Sequence, residues 1–183
     1  MARSTLGELF MHSFFLGIDP SATGTGITLL SENDSFFKGK QIKPGKLRDA
    51  ERLHYISSEI KNFIEGSDIC LCVYEAPSYG STHKEFILGE VLGVMKLTLF
   101  ELGIPMIGVP PTQLKKYFTT KGRATKNDMI RRASELGCTS KQEDICDSFA
   151  AAMLCKDLIL GPLLPTRASR EVRLDILNKL ENS

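Results

Sequence analysis

The sequence is poor in the residues that build metal sites from nitrogen or sulfur. It has no tryptophan and only three histidines, His12, His54 and His83, which lie far apart in the chain. Its five cysteines are an odd number and include no Cys-x-x-Cys pair. These absences argue against a histidine-built metal site, a zinc knuckle and a disulfide framework. We expect Cys70 and Cys72, which lie in an apolar run, to be buried thiols.

Long apolar runs are missing as well. No stretch reaches the ~20 residues that a membrane-spanning helix needs, and residues 1–14 include Glu8 instead of the apolar segment of a secretion signal. With 183 residues, 42% of them hydrophobic, the chain is long enough for one well-buried core and short for two. We expect one intracellular domain over residues 14–160, with extensions over 1–13 and 161–183.

Hydrophobic patterning predicts a mixed five-stranded α/β sheet with helices on both faces. Three predicted strands, 13–19, 25–31 and 35–42, are joined by short turns and form an antiparallel meander. Predicted helices over 47–65 and 83–102 each lead into a further strand, so the last two strands are expected to be parallel. Capping signals predict three more core helices, which start near Pro110, Thr125 and Ser140. A further amphipathic helix is expected outside the domain over 169–180.

Four acidic residues are placed so that they could converge. Asp19 and Glu75 each end an apolar strand, and Asp144 and Asp147 share one face in the first turns of a helix. Such convergence costs several kcal/mol unless a cation lies among the carboxylates, and oxygen ligands without His or Cys favour Mg²⁺ or Mn²⁺. The small residues of "PSATGTG" after Asp19 would leave room for a polyanion beside the ion.

Each acid also has a simpler interpretation. Asp19 before a proline could form a turn, and Glu75 could be an exposed edge charge. Asp144 and Asp147 could serve the dipole of their helix, and we assign Glu143 to a capping box with Ser140.

Four motifs occur in an order that matches a known family. "GIDPSATGTGI", "VYEAP", "KGRATKNDMI" and "EDICDSFAAAM" together resemble RuvC-type Holliday junction resolvases of the ribonuclease H-like superfamily, in a phage-borne or divergent member. The resemblance covers residues 14 to about 160 and implies a ribonuclease H-like fold. It also implies that the four acids of this family fall on Asp19, Glu75, Asp144 and Asp147 and are both catalytic and metal-binding.

The resemblance implies a crossover junction endodeoxyribonuclease that acts in DNA recombination and repair. Two Mg²⁺ ions per site, replaceable by Mn²⁺, would promote attack of water on the phosphodiester bond. The products would be paired nicks with 5′-phosphate and 3′-hydroxyl ends. Such a protein would work beside DNA in a bacterium or a virus-infected host, with an organelle as a further setting.

Basic residues outside the acidic cluster could bind the DNA. Five of them lie within twelve positions: Lys115, Lys116, Lys121, Arg123 and Lys126. Four lysines between 38 and 46 could form a second stripe that contacts phosphates. Tyr79 resembles the aromatic residue with which the family stacks bases at the crossover. The simpler interpretations are solvated charged faces and a tyrosine packed in its loop.

The helix over 83–102 is apolar nearly all round, with Gly89 and Gly93 four residues apart. In the family this helix forms a two-fold homodimer, which suits a four-way junction. Burial of the helix within its own domain is the alternative.

Three other functions compete with the resolvase. A sugar-kinase or actin-like ATPase fragment could use "GIDPSATGTG" to hold phosphates, although such proteins need a second phosphate hairpin and about twice the length. A non-catalytic DNA-binding module would have no use for four convergent acids. A less selective endonuclease, cutting three-way junctions, flaps or forks, would use the same metal site.

Overall fold

The computed structural model describes residues 13–33, 37–77 and 84–182. Its five strands are β1 (Ser13–Asp19), β2 (Thr25–Ser31), β3 (Phe37–Ile42), β4 (Asp68–Glu75) and β5 (Met106–Val109). They form one sheet in the order β3-β2-β1-β4-β5. The β1, β2 and β3 strands pair antiparallel, whereas β4 is parallel to both β1 and β5. The predicted mixed sheet is therefore confirmed.

Six helices are described. They are α1 (Asp49–Ile64), α2 (Lys84–Glu101), α3 (Pro111–Thr119), α4 (Lys126–Glu135), α5 (Glu143–Leu160) and α6 (Arg167–Glu181). The capping box that was predicted for α4 is formed, because Thr125 and Asp128 bond each other's backbone N–H groups. The box predicted for α5 is not formed. The side chain of Ser140 accepts a hydrogen bond from the N–H of Gln142, and Glu143 is the first residue of the helix.

Two apolar cores cover the two faces of the sheet. Buried side chains of α1 and α2, such as Ile56, Ile60 and Met95, pack on one face. On the other face, buried side chains of α3, α4 and α5 pack together, among them Tyr117 and Phe149. Because the residues of each strand alternate between these two faces, both faces of the central strands are apolar.

The helix α5 approaches the sheet unusually closely. A Cβ atom added at Gly26 would lie closer than 3.0 Å to the backbone carbonyl of Asp144, and one at Gly17 equally close to that of Ser148. The hydroxyl groups of Thr28 and Ser148 form a buried hydrogen bond of 2.8 Å across the same contact. Two glycines in the sheet thus determine how near the first turns of α5 come to the end of β1.

The C-terminal helix α6 packs against α3 and α5. Val172 and Ile176 are buried in the same core as those helices, and the Arg173 Nε donates to the backbone oxygen of Asp157 at 2.9 Å. The Asp157 carboxylate also accepts a hydrogen bond from the N–H of Leu163. The division of the chain at residue 160 stays a prediction, but the helix beyond it shares the core of the described part of the chain.

All five cysteines are free, and all but Cys70 are fully buried. None of the six described helices combines the length and the apolarity that crossing a membrane requires.

Candidate active site

Two of the predicted site residues lie at one edge of the sheet. The parallel register pairs Ile18 of β1 with Tyr74 of β4, so the next residues, Asp19 and Glu75, end neighbouring strands side by side. The residues just before these two carboxylates are buried, Gly17 and Ile18 in β1 and Val73 and Tyr74 in β4, so each strand runs through the core and ends on an acid.

The other two site residues come to this edge from α5. Gly26 pairs with Asp19 in the antiparallel register and faces the backbone of Asp144, so the start of α5 lies over the end of β1. The Asp144 carboxylate accepts a hydrogen bond from the side-chain amide of Gln41 on β3. Asp147 lies on the next turn of the helix, on the same side as Asp144.

Beyond the effect of burial, the charges of the neighbouring acids raise the pKa values of two of the four carboxyl groups, those of Asp19 and Asp147. Burial raises the pKa of Asp19 well above its ordinary value, and the charges of Glu75, Asp147 and Asp144 raise it further. Burial, followed by the charge of Glu75, raises the pKa of Asp147 to about 7. Burial is also the main cause of the raised pKa values of Glu75 and Asp144. The structure therefore brings together the four acids that the sequence singles out.

These acids have the chemistry that a hard divalent cation requires. The Oδ1 atom of Asp147 is buried and has no hydrogen-bond partner among the described residues. An orphaned carboxylate oxygen among three further acids is costly, and a cation beside it would remove the cost. As the side chains stand, no three His, Cys, Asp or Glu residues in the described ranges are arranged to hold one ion.

Three lysines act on the acidic cluster from different elements. Lys115 of α3 lowers the pKa values of Glu75 and Asp147. Lys43, which follows β3, and Lys126 at the start of α4 lower that of Asp144. Lys126 also forms an ion pair of 2.7 Å with Glu143, which corrects the assignment of Glu143 to a helix cap.

The five predicted DNA-binding bases differ in their surroundings. Lys121 and Arg123 are exposed in the segment between α3 and α4, and Lys126 is exposed at the start of α4. Lys116 instead forms an ion pair of 2.9 Å with Glu171 of α6. The aromatic residues beside it, Tyr117 and Phe118, are buried in the core and cannot stack on bases. Tyr79 lies outside the described residues.

The predicted lysine stripe of β3 divides into two parts. Lys38 lies 4.5 Å above the Phe63 ring and donates to the Phe63 carbonyl, and Lys40 pairs with Glu59 of α1. Lys43 and Lys46 are exposed beyond the strand. Lys38 and Lys40 therefore have partners on α1, whereas Lys43 and Lys46 form no ion pair with the residues that the structure describes.

Two features of the site were missed from the sequence. Gln41 lies one position after Lys40 in β3, so its side chain points to the opposite face of the sheet, toward α5. The alternation of side chains along a strand could have identified it from the sequence. The glycines of the β1–β2 turn were attributed to access for a polyanion. A Cβ at Gly24 would instead meet the side chains of Gln41 and Asp144, and one at Gly26 the backbone of α5.

The α2 helix is apolar on two sides, as predicted. Val91, Met95 and Leu99 are buried against the sheet. The opposite side carries Phe86 and Phe100, which are 77% and 76% exposed, and the exposed Leu97. Between them, Gly89 and Gly93 have open space where a side chain would be.

Comparisons with known proteins identify a family that matches most of this chain. The family profile described as crossover junction endodeoxyribonuclease RuvC matches residues 15–155. The crossover junction endodeoxyribonuclease RuvC of a Roseiflexus species is 27% identical over 146 residues, which are 75% of this chain and 87% of that protein. The RuvC of an Anaeromyxobacter species is 30% identical over 144 residues, or 75% of this chain and 70% of that protein.

Two solved structures share the fold. Thermus thermophilus RuvC in complex with a Holliday junction substrate superposes with a TM-score of 0.68 at 21% identity, covering 78% of this chain and 92% of that one. Thermus thermophilus RuvC itself gives a TM-score of 0.65 at 21% identity, covering 80% and 96%.

Proposed function

Because the chain belongs to the RuvC family of crossover junction endodeoxyribonucleases, we propose that it resolves four-way DNA junctions with the acids at the edge of its sheet. The observation that carries the proposal is the cluster of Asp19, Glu75, Asp144 and Asp147, whose pKa values are all raised. In a member of this family, these four acids support hydrolysis of a phosphodiester bond. They do not support the alternatives of an ATPase fragment or a non-catalytic DNA-binding module.

The four acids would hold Mg²⁺, with Mn²⁺ expected to substitute. When bound, such ions activate a water molecule and stabilise the leaving oxygen of the cleaved phosphodiester. The orphaned Oδ1 of Asp147 and the absence of histidine or cysteine from the cluster support this choice of ion. Water would break the bond between phosphorus and the 3′-oxygen, so the nicks would carry 5′-phosphate and 3′-hydroxyl ends.

Other residues of the chain position this set. Gln41 donates to Asp144 and so fixes the orientation of that carboxylate. Lys115 acts on both Glu75 and Asp147, so its ammonium group is near the place where the cleaved phosphate would lie. A cation there offsets negative charge that accumulates on phosphate during the reaction.

Bases of α3, of the segment that follows it and of the start of α4 would contact DNA phosphates. The related Thermus thermophilus protein is described in complex with a Holliday junction, and we extend that substrate to this chain. Lys115, Lys121, Arg123 and Lys126 are the contacts that we assign. Lys116 and Lys126 contribute less, because Glu171 and Glu143 partly neutralise them. Tyr79 would stack on unpaired bases at the crossover, as the resemblance implies.

Two chains would form the working enzyme through α2. The exposed apolar stripe of Phe86, Leu97 and Phe100, with Gly89 and Gly93 between them, would allow close approach of a second α2. A symmetric dimer presents two active sites, one to each of two opposing strands. We assign the nuclease activity itself to residues 14–160, with DNA recombination and repair inside the cell as its setting.

A cleavage assay in Mg²⁺ tests the proposal. Asp19→Asn, Glu75→Gln, Asp144→Asn and Asp147→Asn should each abolish cutting of a four-way junction while leaving binding intact. Asp68→Asn is the matched control, because Asp68 is exposed at the opposite end of β4. Three-way and linear duplexes in the same assay measure selectivity. A site variant that cuts at the wild-type rate would refute the four-acid site.

A further inference from the structure

We propose that a cleft beside the acidic cluster binds a segment of the DNA strand that runs through the active site. The cleft has a volume of about 530 Å³ and lies between the β1–β2 turn, the loop before α1 and the first turns of α2. Thr23, Lys46, Leu47, Arg48, Arg52 and Ile87 contribute to its walls. The inference rests on the proposed nuclease function and adds a substrate-binding surface to it.

The charge of the cleft has one sign. Three of its lining residues, Lys46, Arg48 and Arg52, are basic, and no acidic residue lines it among the described ones. Lys46 and Arg48 are exposed and form no ion pair within the described ranges. Elsewhere in the fold many bases are neutralised, as Lys40 is by Glu59 and Lys61 by Glu101. Unpaired bases that line a concavity favour an anionic partner.

Arg52 supports the same conclusion. One terminal nitrogen of its guanidinium donates to Glu90 of α2 at 2.8 Å, and its side chain is only 12% exposed. Its Nε is buried and has no hydrogen-bond partner among the described residues. The ion pair therefore links this wall of the cleft to α2, and the free charges of the cleft are those of Lys46 and Arg48.

The backbone that carries Lys46, Leu47 and Arg48 is held in shape. Gly45 and Asp49, on either side of these residues, have φ values of 61° and 47°. The N–H of Leu47 donates to the carbonyl of Pro44 at 3.1 Å and closes a turn. A positive φ is uncommon for a residue with a side chain, and aspartate is among the residues that adopt it most readily, so Gly45 and Asp49 define the path of this loop.

The position of the cleft relates it to the acidic cluster. Thr23 belongs to the turn that follows Asp19 and precedes Gly24, whose missing side chain leaves room for the Asp144 carboxylate. Lys43, three residues before Lys46, lowers the pKa of Asp144. Unpaired bases therefore flank the acids from this loop, while Lys115 acts on them from α3 on the other face of the sheet. A strand crossing the acids would meet phosphate-binding groups both before and after its cleaved bond.

The mixed chemistry of the cleft fits a nucleotide better than a free anion. Leu47 is 37% exposed, and the half-buried Ile87 also lines the cleft. The phosphates would contact Lys46 and Arg48, and a sugar or base would cover the apolar side chain of Leu47.

Binding measurements with a four-way junction, in EDTA so that nothing is cut, test the cleft. We expect Lys46→Ala and Arg48→Ala each to lower the slope of log K against log salt by about 0.7–0.9, and the double variant by about twice that. Leu47→Ser should weaken binding severalfold with the slope unchanged. Lys61→Ala is the control, because it removes an exposed charge ~20 Å away along α1.

The outcomes separate this inference from the proposed function. If wild-type protein binds the junction and Lys115→Ala weakens that binding, but the double variant keeps the wild-type slope, the cleft is refuted and the nuclease is not. A Leu47→Ser variant that binds like wild type refutes the contact with a sugar or base. A wild-type protein that neither binds nor cuts junctions refutes the proposed function itself. Thermal unfolding of each variant establishes that it is folded.

Discussion

Asp147→Asn should abolish cleavage and at the same time stabilise the metal-free protein. Burial and the charge of Glu75 raise the pKa of Asp147 from an ordinary 3.8 to about 7. A difference of about 3 between folded and unfolded pKa values corresponds to about 4 kcal/mol at a pH above both. This is an upper bound, because neighbouring acids share the repulsion and the buried amide of asparagine also requires hydrogen bonds. We expect a net gain of about 2 kcal/mol.

The sign of the pH dependence follows from the raised pKa. The Asp147 carboxyl group binds its proton more tightly in the folded protein than in the unfolded chain. Its ionisation therefore destabilises the fold only at a pH above the pKa that Asp147 has in the unfolded chain. The penalty is absent below about pH 4, grows between about pH 4 and 7, and is complete above about pH 7. In EDTA the wild type should therefore lose stability over this range, and Asp147→Asn should lose less.

Thermal unfolding in EDTA and in Mg²⁺ measures both effects. At pH 8 without metal, about 2 kcal/mol corresponds to a Tm about 4–8 °C higher for a domain of this size. Mg²⁺ should raise the wild-type Tm and have a smaller effect on the variant, which has lost a ligand. Asp68→Asn, at the other end of β4, should show neither change. An Asp147→Asn protein that melts below wild type in EDTA at pH 8 would contradict the electrostatic account of this site.

Four further predictions address the rest of the molecule. Gly26→Ala should force α5 away from the sheet, displace Asp144, cost about 1–3 kcal/mol or more of stability and abolish cleavage, as unfolding and activity assays would show. Gly89→Ala, where a Cβ would meet nothing within its own chain, is the control for stability and should not lower it. Replacing Lys121, Arg123 and Lys126 together by alanine should lower the slope of log K against log salt for junction binding by roughly 0.9 per lost contact. An unchanged slope would mean that these bases are solvated and do not contact DNA. Gly93→Glu should give monomers in sedimentation that bind junctions poorly, whereas a monomeric wild type at micromolar concentration would contradict the dimer. Tyr79→Ala, but not Tyr79→Phe, should slow cutting of intact junctions relative to pre-nicked ones, and an equal ratio in all three proteins would mean that the ring does not stack.

The parts of the fold that the sequence predicted are those set by local signals. The strands β1 and β2 are apolar runs bounded by turn residues, and α4 begins at a Thr125–Asp128 capping box. The sequence predicted that Asp19 and Glu75 would meet if their strands were neighbours, since a helical crossover makes the later strand parallel. The sheet order, in which β4 lies beside β1, meets that condition. Residues at equivalent ends of neighbouring parallel strands must lie at one edge.

The parts that it did not predict depend on contacts between distant segments. Gln41 bonds Asp144 across 103 positions, and nothing local in β3 indicates which helix covers that face. Gly26 looks like a turn glycine until α5 is placed over it. The capping box predicted at Ser140 is absent for two reasons. The Ser140 hydroxyl accepts a hydrogen bond from the N–H of Gln142 instead of that of Glu143, and the Glu143 carboxylate pairs with Lys126.

Charge pairing shows why counting residues gave an incomplete picture of the DNA-binding surface. The formal net charge is only +1, and the lysines of β3 appeared to form one continuous stripe. In the fold, Lys38 and Lys40 are engaged with α1, and Lys116 is engaged with α6. The bases without partners among the described residues include those next to the four acids, in the loop before α1 and in the segment before α4. A partner anion gains most from charges that the protein itself does not neutralise, so pairing, more than the number of bases, determines where the strand can lie.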